Sequence, residues 1–353
     1  MSGIAYLGLS AQMLLAGPAG GGSEFINLEK LSDRVMLAYW VGTDRRCNLT
    51  AINSRKGLVI IDTEMSPRIM APIKEKFEQV FRRTNWVYVI NTHAHDSHPG
   101  GNSLFKDAVI VGHENLAEDM RWIVRRQTEP GWRNRDLERA DQFIQNLRAQ
   151  LPLVAARSAS EARMVRGEIK FWELHSQDLR EGYPVVKPSQ TFSTNCTLDL
   201  GDLRLELVFF GKGHSLSDTL IYCPQERLLV TGGIVYQRAL FPEIGEQSKL
   251  EDVRRYLAVL DRFLAPEVRI DHLVPAHSPP LLKQDMAPVR DYYQRMLLGV
   301  RAAQREGLTL DQAKVWLAAS RFPALRETPP GSWSYGFHER NLRNLWRILQ
   351  EKE

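Results

Sequence analysis

The sequence predicts an α/β fold, and three observations carry that prediction. Short runs rich in β-branched and aromatic residues, Leu58–Ile61, Trp86–Ile90 and Ala108–Val111, lie between turn-forming residues, as buried strands do. A helix-like stretch opened by Ser66-Pro67 separates the first two runs, which gives the strand, helix, strand order of an α/β layer. A second group of strand-like runs, from Leu198 to Thr231 and at Leu273–Pro275, follows a long region with few strand formers.

In chain order, Ile4 to Ala16 is apolar and ends in Ala16-Gly17-Pro18-Ala19-Gly20, which reads as the h-region and cleavage zone of a signal peptide. No Lys or Arg precedes it, so a disordered leader is the alternative. Residues 1–25 are accordingly set apart as a leader, with export as the expectation and a cytoplasmic location otherwise. The run is too short to span a bilayer, and no integral membrane segment is expected in the mature chain. Val35–Val41 and Leu49–Ile52 read as strands, and Gly57 turns the chain into the run that ends at Asp62. Ser66 as N-cap and Pro67 at the first helical position start a helix that reaches about Arg82.

From Asn115 to Gly182 arginine, glutamate and leucine dominate, which predicts helices over 116–124, 137–151 and 161–179, the last with a Ser158/Glu161 capping box. This helical insertion (about 115–182) has two candidate roles, a roof over a site or a homodimer contact. Strands resume at 198–200, cross a Gly201-Asp202 hairpin turn into 203–210, and continue at 219–222 and 228–231. An amphipathic helix over 251–264 and a strand over 273–275 complete a domain spanning residues 26–284. Residues 285–353 read as a helical C-terminal extension, with a Thr309/Gln312 capping box and a break at Pro329-Pro330-Gly331 before a helix over 342–349.

The 353 residues carry a net charge of only +4 with arginines dispersed, so a nucleic-acid partner is not expected. Cys47, Cys196 and Cys223 are too few and too far apart for a disulfide framework. The informative stretch is Asn91-Thr92-His93-Ala94-His95-Asp96-Ser97-His98-Pro99-Gly100-Gly101, three histidines in six residues on the loop leaving a buried strand. Imidazole is the commonest neutral ligand for zinc. His214 and His277 also leave strand ends, in Gly211-Lys212-Gly213-His214 and Ala276-His277-Ser278-Pro279. His113 and His272 read as structural, and His175 and His338, in helical regions, as surface residues.

Around these histidines the chain resembles the metallo-β-lactamase superfamily, whose signature is His-x-His-x-Asp-His followed by paired glycines. The resemblance runs from about Leu31 to Pro280. It implies an αββα sandwich, two mixed β-sheets flanked by helices, with a two-metal site at one edge. Carried over by position, the first zinc would take His93, His95 and His214 and keep an open fourth position, which brings a bound water's pKa to about 7. The second metal would take the signature aspartate, His98, His277 and a bridging aspartate. Here Ser97 stands at the signature aspartate and Gly233, in Thr231-Gly232-Gly233, at the bridging one. Asp62 and Asp218 match acids that brace loops in the family.

With both carboxylates replaced, the expectation is one tight Zn2+ and a weak or absent second site, with iron as the other candidate metal. Restoring acids at 97 and 233 together is expected to rebuild the second site. Asp96 lies one residue early and reaches the metal only if the loop is remodelled. Ser97 can hydrogen-bond a water but cannot act as a base near neutral pH; Asp96, His98 or His277 could substitute in a weakened or rewired hydrolase, with Asp96 and Ser97 as the catalytic candidates. The resemblance implies a hydrolase acting on an ester, lactone, amide or related bond of a small molecule. A non-catalytic metal-binding protein is the alternative. An iron-dependent dioxygenase ranks lower, because that chemistry uses the acid that Gly233 replaces.

Overall fold

The computed structural model describes residues 22–42, 47–235, 243–322 and 333–351. Most of the leader and the Pro329-Pro330-Gly331 break lie outside the described residues. The first sheet holds β1 (Ile26–Lys30), β2 (Val35–Trp40), β3 (Leu49–Asn53), β4 (Leu58–Ile61), β5 (Trp86–Ile90), β6 (Val109–His113) and β7 (Gln190–Phe192), neighbours in that order. Pairing is antiparallel from β1 to β4 and parallel from β4 to β7. The second sheet has the order β12-β11-β10-β9-β8, from β8 (Asn195–Asp199), β9 (Arg204–Phe209), β10 (Thr219–Cys223), β11 (Leu228–Gly232) and β12 (His272–Pro275). Only β11 and β12 pair in parallel there. The predicted hairpin turn at Gly201 joins β8 to β9.

Strand alternation builds three layers of core. Side chains point to opposite faces at successive positions. Val35 and Leu37 of β2, Val59 and Ile61 of β4, and Ile90 of β5 therefore meet Leu205, Leu207, Ile221, Val230 and Val274 between the sheets. Met36, Ala38, Trp40, Leu58 and Ile60 face the other way, onto Ile69, Met70, Ile73 and Phe77 of α1 (Pro67–Phe81). The predicted sandwich is thus present, with helices on both outer faces. Ser66 occupies the N-cap position of α1 in extended backbone, but its hydroxyl takes no bond from the helix.

The insertion contains α2 (Leu116–Asp119), α3 (Arg121–Thr128), α4 (Pro130–Ala155) and α5 (Ala159–Glu181). Its first predicted helix is split at Met120. Its second starts seven residues early, because Pro130 at the first helical position sacrifices no hydrogen bond. Helix α5 lies on the first sheet, where Phe171 meets Trp40 edge-on at 5.9 Å.

The outer face of the second sheet is covered by α6 (Leu250–Leu264), α7 (Ala287–Arg305), α8 (Leu310–Trp316) and α9 (Trp333–Gln350). Phe210, Leu220 and Leu229 pack there with Tyr256, Phe263, Tyr292, Tyr293 and Trp346. Each such buried side chain contributes about 1.5–3 kcal/mol, so the C-terminal helices share one core with the sheet. The Thr309/Gln312 capping box is reciprocal, as expected. No helix among the described residues is long and apolar enough to cross a membrane.

Candidate metal centre

Two strand ends aim three histidines at one point. His93 and His95 follow β5, and His214 follows β9. One nitrogen from each of the three rings lies within 4.8 Å of the others. Ring centroids are 4.8 Å apart for His93 and His95, 4.8 Å for His93 and His214, and 4.3 Å for His95 and His214. The loop after β5 is held by its own glycines. A Cβ on Gly100 would meet the Met65 carbonyl oxygen at 2.1 Å and one on Gly101 the Thr63 oxygen at 2.3 Å. Their amides donate to the Glu64 and Thr63 carbonyls at 2.8 and 3.0 Å, so the close approach becomes a hydrogen-bonded clasp.

Neighbouring oxygens set the tautomers. Asp62 Oδ2 accepts from Thr92 Oγ1 at 2.7 Å, which leaves that hydroxyl oxygen to accept from His93 Nδ1 at 2.9 Å. His93 Nε2 is therefore unprotonated, and it is buried with no hydrogen-bond partner among the described residues. His214 Nδ1 donates to Glu243 Oε1 at 2.7 Å and so also presents a bare Nε2 to the centre. Burial is the main cause that keeps these rings neutral. His93 is held well below its ordinary pKa, and His95 and His214 are each pushed down to about 3. A tetrahedral zinc with bonds of about 2.0–2.1 Å needs its nitrogens about 3.4 Å apart, within small side-chain adjustments of this set. The three histidines fit a metal.

The remaining family positions are arranged otherwise. His98 Nδ1 donates to Asp62 Oδ2 at 2.8 Å, and its Nε2 lies 3.3 Å from His277 Nε2 in a direct imidazole-to-imidazole hydrogen bond. Ser97 and Asp96 both border the cavity beside the centre. Asp96 turns to the insertion: Arg126 Nη1 donates to its Oδ2 at 2.7 Å, and Ser97 N to its Oδ1 at 3.1 Å. Burial opposes the charge on Asp96, but Arg126, His175 and His95 together hold its pKa below the ordinary carboxylate value. Gly233 does not have positive φ. A Cβ there would stand 2.1 Å from His214 Cδ2 and 2.5 Å from its Nε2. The expectation that acids at 97 and 233 together rebuild a second site therefore meets an obstacle: the His214 ring occupies the space a side chain at 233 would need, so one of the two must shift.

Several contributors escape sequence reading. Glu64, at φ 63°, is buried, borders the cavity, and has its pKa pushed up to about 8 by burial and by Asp96 and Asp62. Asn48 Nδ2 ties the loop of His277 by donating to Pro275 O and Ser278 O, both at 2.6 Å. Asp218, unlike these, is expected from the resemblance: it accepts from Ser215 N and Oγ and braces the loop of His214. His175 and His338 are buried rather than superficial. His175 lies on the packed face of α5 with Phe171 and Leu179, and burial first among several causes pushes its pKa down to about 4. His338 bridges Tyr292 OH at 3.1 Å and Leu317 O at 2.7 Å. His113 is structural, stacked on Phe209 at 3.7 Å.

Above the histidines lies a cavity of about 1510 Å³. His95, His214 and His277 form its floor, and the insertion contributes much of its wall, including Trp122, Trp132, Phe143 and Trp172. The insertion thus walls the cavity beside the histidines. Arg126 lies over Trp122 with 5.1 Å to the ring centroid and also pairs with Asp136 at 2.6 Å.

The metallo-beta-lactamase superfamily model matches residues 42–277. No curated protein sequence matches the chain. Among solved structures, a metallo-beta-lactamase from Pontibacter korlensis is similar at 17% identity and TM-score 0.51, over 76% of this chain and 99% of that one. The stereoselective inverting sec-alkylsulfatase from Pseudomonas sp. is similar at 18% identity and TM-score 0.58, over 92% of this chain. This chain spans 50% of the sulfatase's length.

Proposed function

The chain belongs to the metallo-β-lactamase superfamily, and from that footing we propose that it is a hydrolase working with a single metal ion, held by His93, His95 and His214. The observation that carries the reading is the convergence of three neutral imidazoles on one point, with the buried Nε2 of His93 unpartnered among the described residues. Zinc in such a site would lower the pKa of a bound water to about 7 and polarise the bond to be broken.

The chain's own groups divide the remaining work. The Ser97 hydroxyl, at the rim of the histidine floor, orients the attacking water. His277 borders the cavity and takes the proton, with the resulting charge stabilised through His98 by Asp62. Asp96 stays ionised and fixes the metal loop to the insertion through Arg126. Protonated Glu64 is the candidate donor to the leaving group.

The substrate is a small molecule with an ester, lactone, amide or related bond and a bulky apolar group for the aromatic wall of the insertion. Secondary alkyl sulfates belong in the same panel, because the sulfatase aligns with 92% of this chain. The test is elemental analysis of purified protein combined with hydrolysis of hydrophobic esters, lactones, β-lactams and secondary alkyl sulfates. One tightly held metal and turnover within the panel are expected. Tight metal binding that survives His93→Ala would sink the reading.

A further inference from the structure

The segment carrying Glu243 is held by the C-terminal helices rather than by either sheet. Tyr293 OH of α7 donates to the Glu243 carbonyl at 3.3 Å. Asn341 of α9 accepts from Ile244 N at 2.8 Å, and Asn344 donates to Ile244 O at 2.7 Å. One turn further along the helix, Arg347 Nη2 donates to Glu246 O at 2.7 Å. The same segment presses on the loop of His214. A Cβ on Gly245 would meet Gly213 O at 2.7 Å, and one on Gly213 would meet Glu243 O at 2.9 Å. Ser248 Oγ and Tyr256 OH both donate to Lys212 O, fixing the loop from below.

Side chains complete the connection. Glu243 Oε1 accepts from His214 Nδ1 at 2.7 Å, while its Oε2 accepts from Arg340 Nη2 of α9. Arg340 is itself laid over Phe337, 4.1 Å from the ring centroid. A line of contacts thus runs from α9 through Arg340 and Glu243 to the nitrogen of His214 opposite its metal-facing one. None of α7, α8 or α9 falls within residues 42–277, the span that matches the family.

We propose that Glu243 and Arg340 are positioning residues for the metal centre, and that the C-terminal extension therefore sets the metal affinity of a site formed by the sandwich. The inference rests on the reading of His214 as a metal ligand. The Glu243 carboxylate fixes the ring so that Nε2 is unprotonated and faces the centre formed with His93 and His95. Arg340 keeps that carboxylate in place by holding its second oxygen while the first accepts from His214. Loss of such an outer partner costs typically about 10–100-fold in metal affinity.

The experiment measures zinc affinity of the full-length chain by competition with a chromophoric chelator, alongside the melting temperature of the metal-free protein. Glu243→Ala and Arg340→Ala are expected to bind zinc about 10–100-fold more weakly. Glu243→Gln, which still accepts from His214 Nδ1 but carries no charge, should fall between Glu243→Ala and the parent. Arg347→Ala is the control, because it breaks a bond from α9 to the same segment without touching Glu243. It should lower the melting temperature while leaving zinc affinity within about threefold of the parent. Equal zinc affinity in the parent, Glu243→Ala and Arg340→Ala would overturn the inference and leave the hydrolase reading standing. Equal weakening in Arg347→Ala would also overturn it, by showing that general loosening of α9 is the cause. No zinc binding by the parent would overturn both.

Discussion

Two groups of histidines lie side by side at the edge of the sandwich, and they differ in what their nitrogens do. In the group of His93, His95 and His214, Thr92 and Glu243 take the outer nitrogens of His93 and His214 and leave their inner ones bare. In the pair His98 and His277, the two imidazoles bond each other and Asp62 takes the outer nitrogen of His98. The ligand type is the same in both. Holding a dication also requires compensating charge, and the second group lacks the two carboxylates that would supply it. A metal site thus depends on the partners of its imidazoles as much as on their number.

The largest effect separating the two groups should come from single alanine substitutions. His93→Ala, His95→Ala or His214→Ala each removes one ligand, costing roughly 3 kcal/mol as a share of the about 10–16 kcal/mol of a full zinc site, hence tight binding. His277→Ala should keep one zinc per chain by elemental analysis while turnover falls. Metal loss as severe in His277→Ala as in the other three would erase the distinction between the groups.

Adding the missing acids sharpens the comparison from the other side. Ser97→Asp together with Gly233→Asp should fail to bind a second zinc and should weaken the first. The new side chain at 233 must displace the His214 ring, whose Cδ2 lies 2.1 Å from the position of a Cβ. Ser97→Asp alone should leave the first site intact. A zinc titration that shows two tight equivalents in the double variant would mean that His214 moves without cost.

A smaller effect concerns acid. His93, His95 and His214 have depressed pKa values in the folded chain, as does His175 outside the centre. The unfolded chain therefore binds more protons than the folded one below about pH 6.5, and stability of the metal-free protein falls from there toward pH 4. Each such histidine costs about 1.4 kcal/mol per pH unit in that window. His175→Gln should flatten the profile of melting temperature against pH by about one proton's slope, with zinc affinity unchanged. An unaltered profile would mean that His175 titrates normally.

The smallest effect lies farthest from the histidines. Trp132 is 39% exposed on the cavity wall, so Trp132→Ala should remove about 1 kcal/mol of apolar contact and raise KM for hydrophobic esters roughly fivefold. Its kcat should hold. A fall in kcat at constant KM would place Trp132 with the reacting groups instead.

The chain by itself determined the order of strands and helices and the histidine positions, because both are written in short-range patterns. Unbroken apolar runs at Val35–Trp40 and Leu58–Ile61 mark strands buried on both faces, and the motif from His93 to Gly101 is contiguous. Short edge strands such as β7, largely exposed and without an apolar pattern, left no such signal. Tertiary structure decided what surrounds the histidines. Asp96 meets Arg126 from 30 positions away, His214 meets Glu243 from 29, and Glu243 meets Arg340 from 97. No periodicity encodes these pairings, since each depends on how whole layers stack. The same holds for His175, whose burial follows from α5 lying on the first sheet, and for Gly233, whose missing side chain makes room for a ring that arrives from another strand.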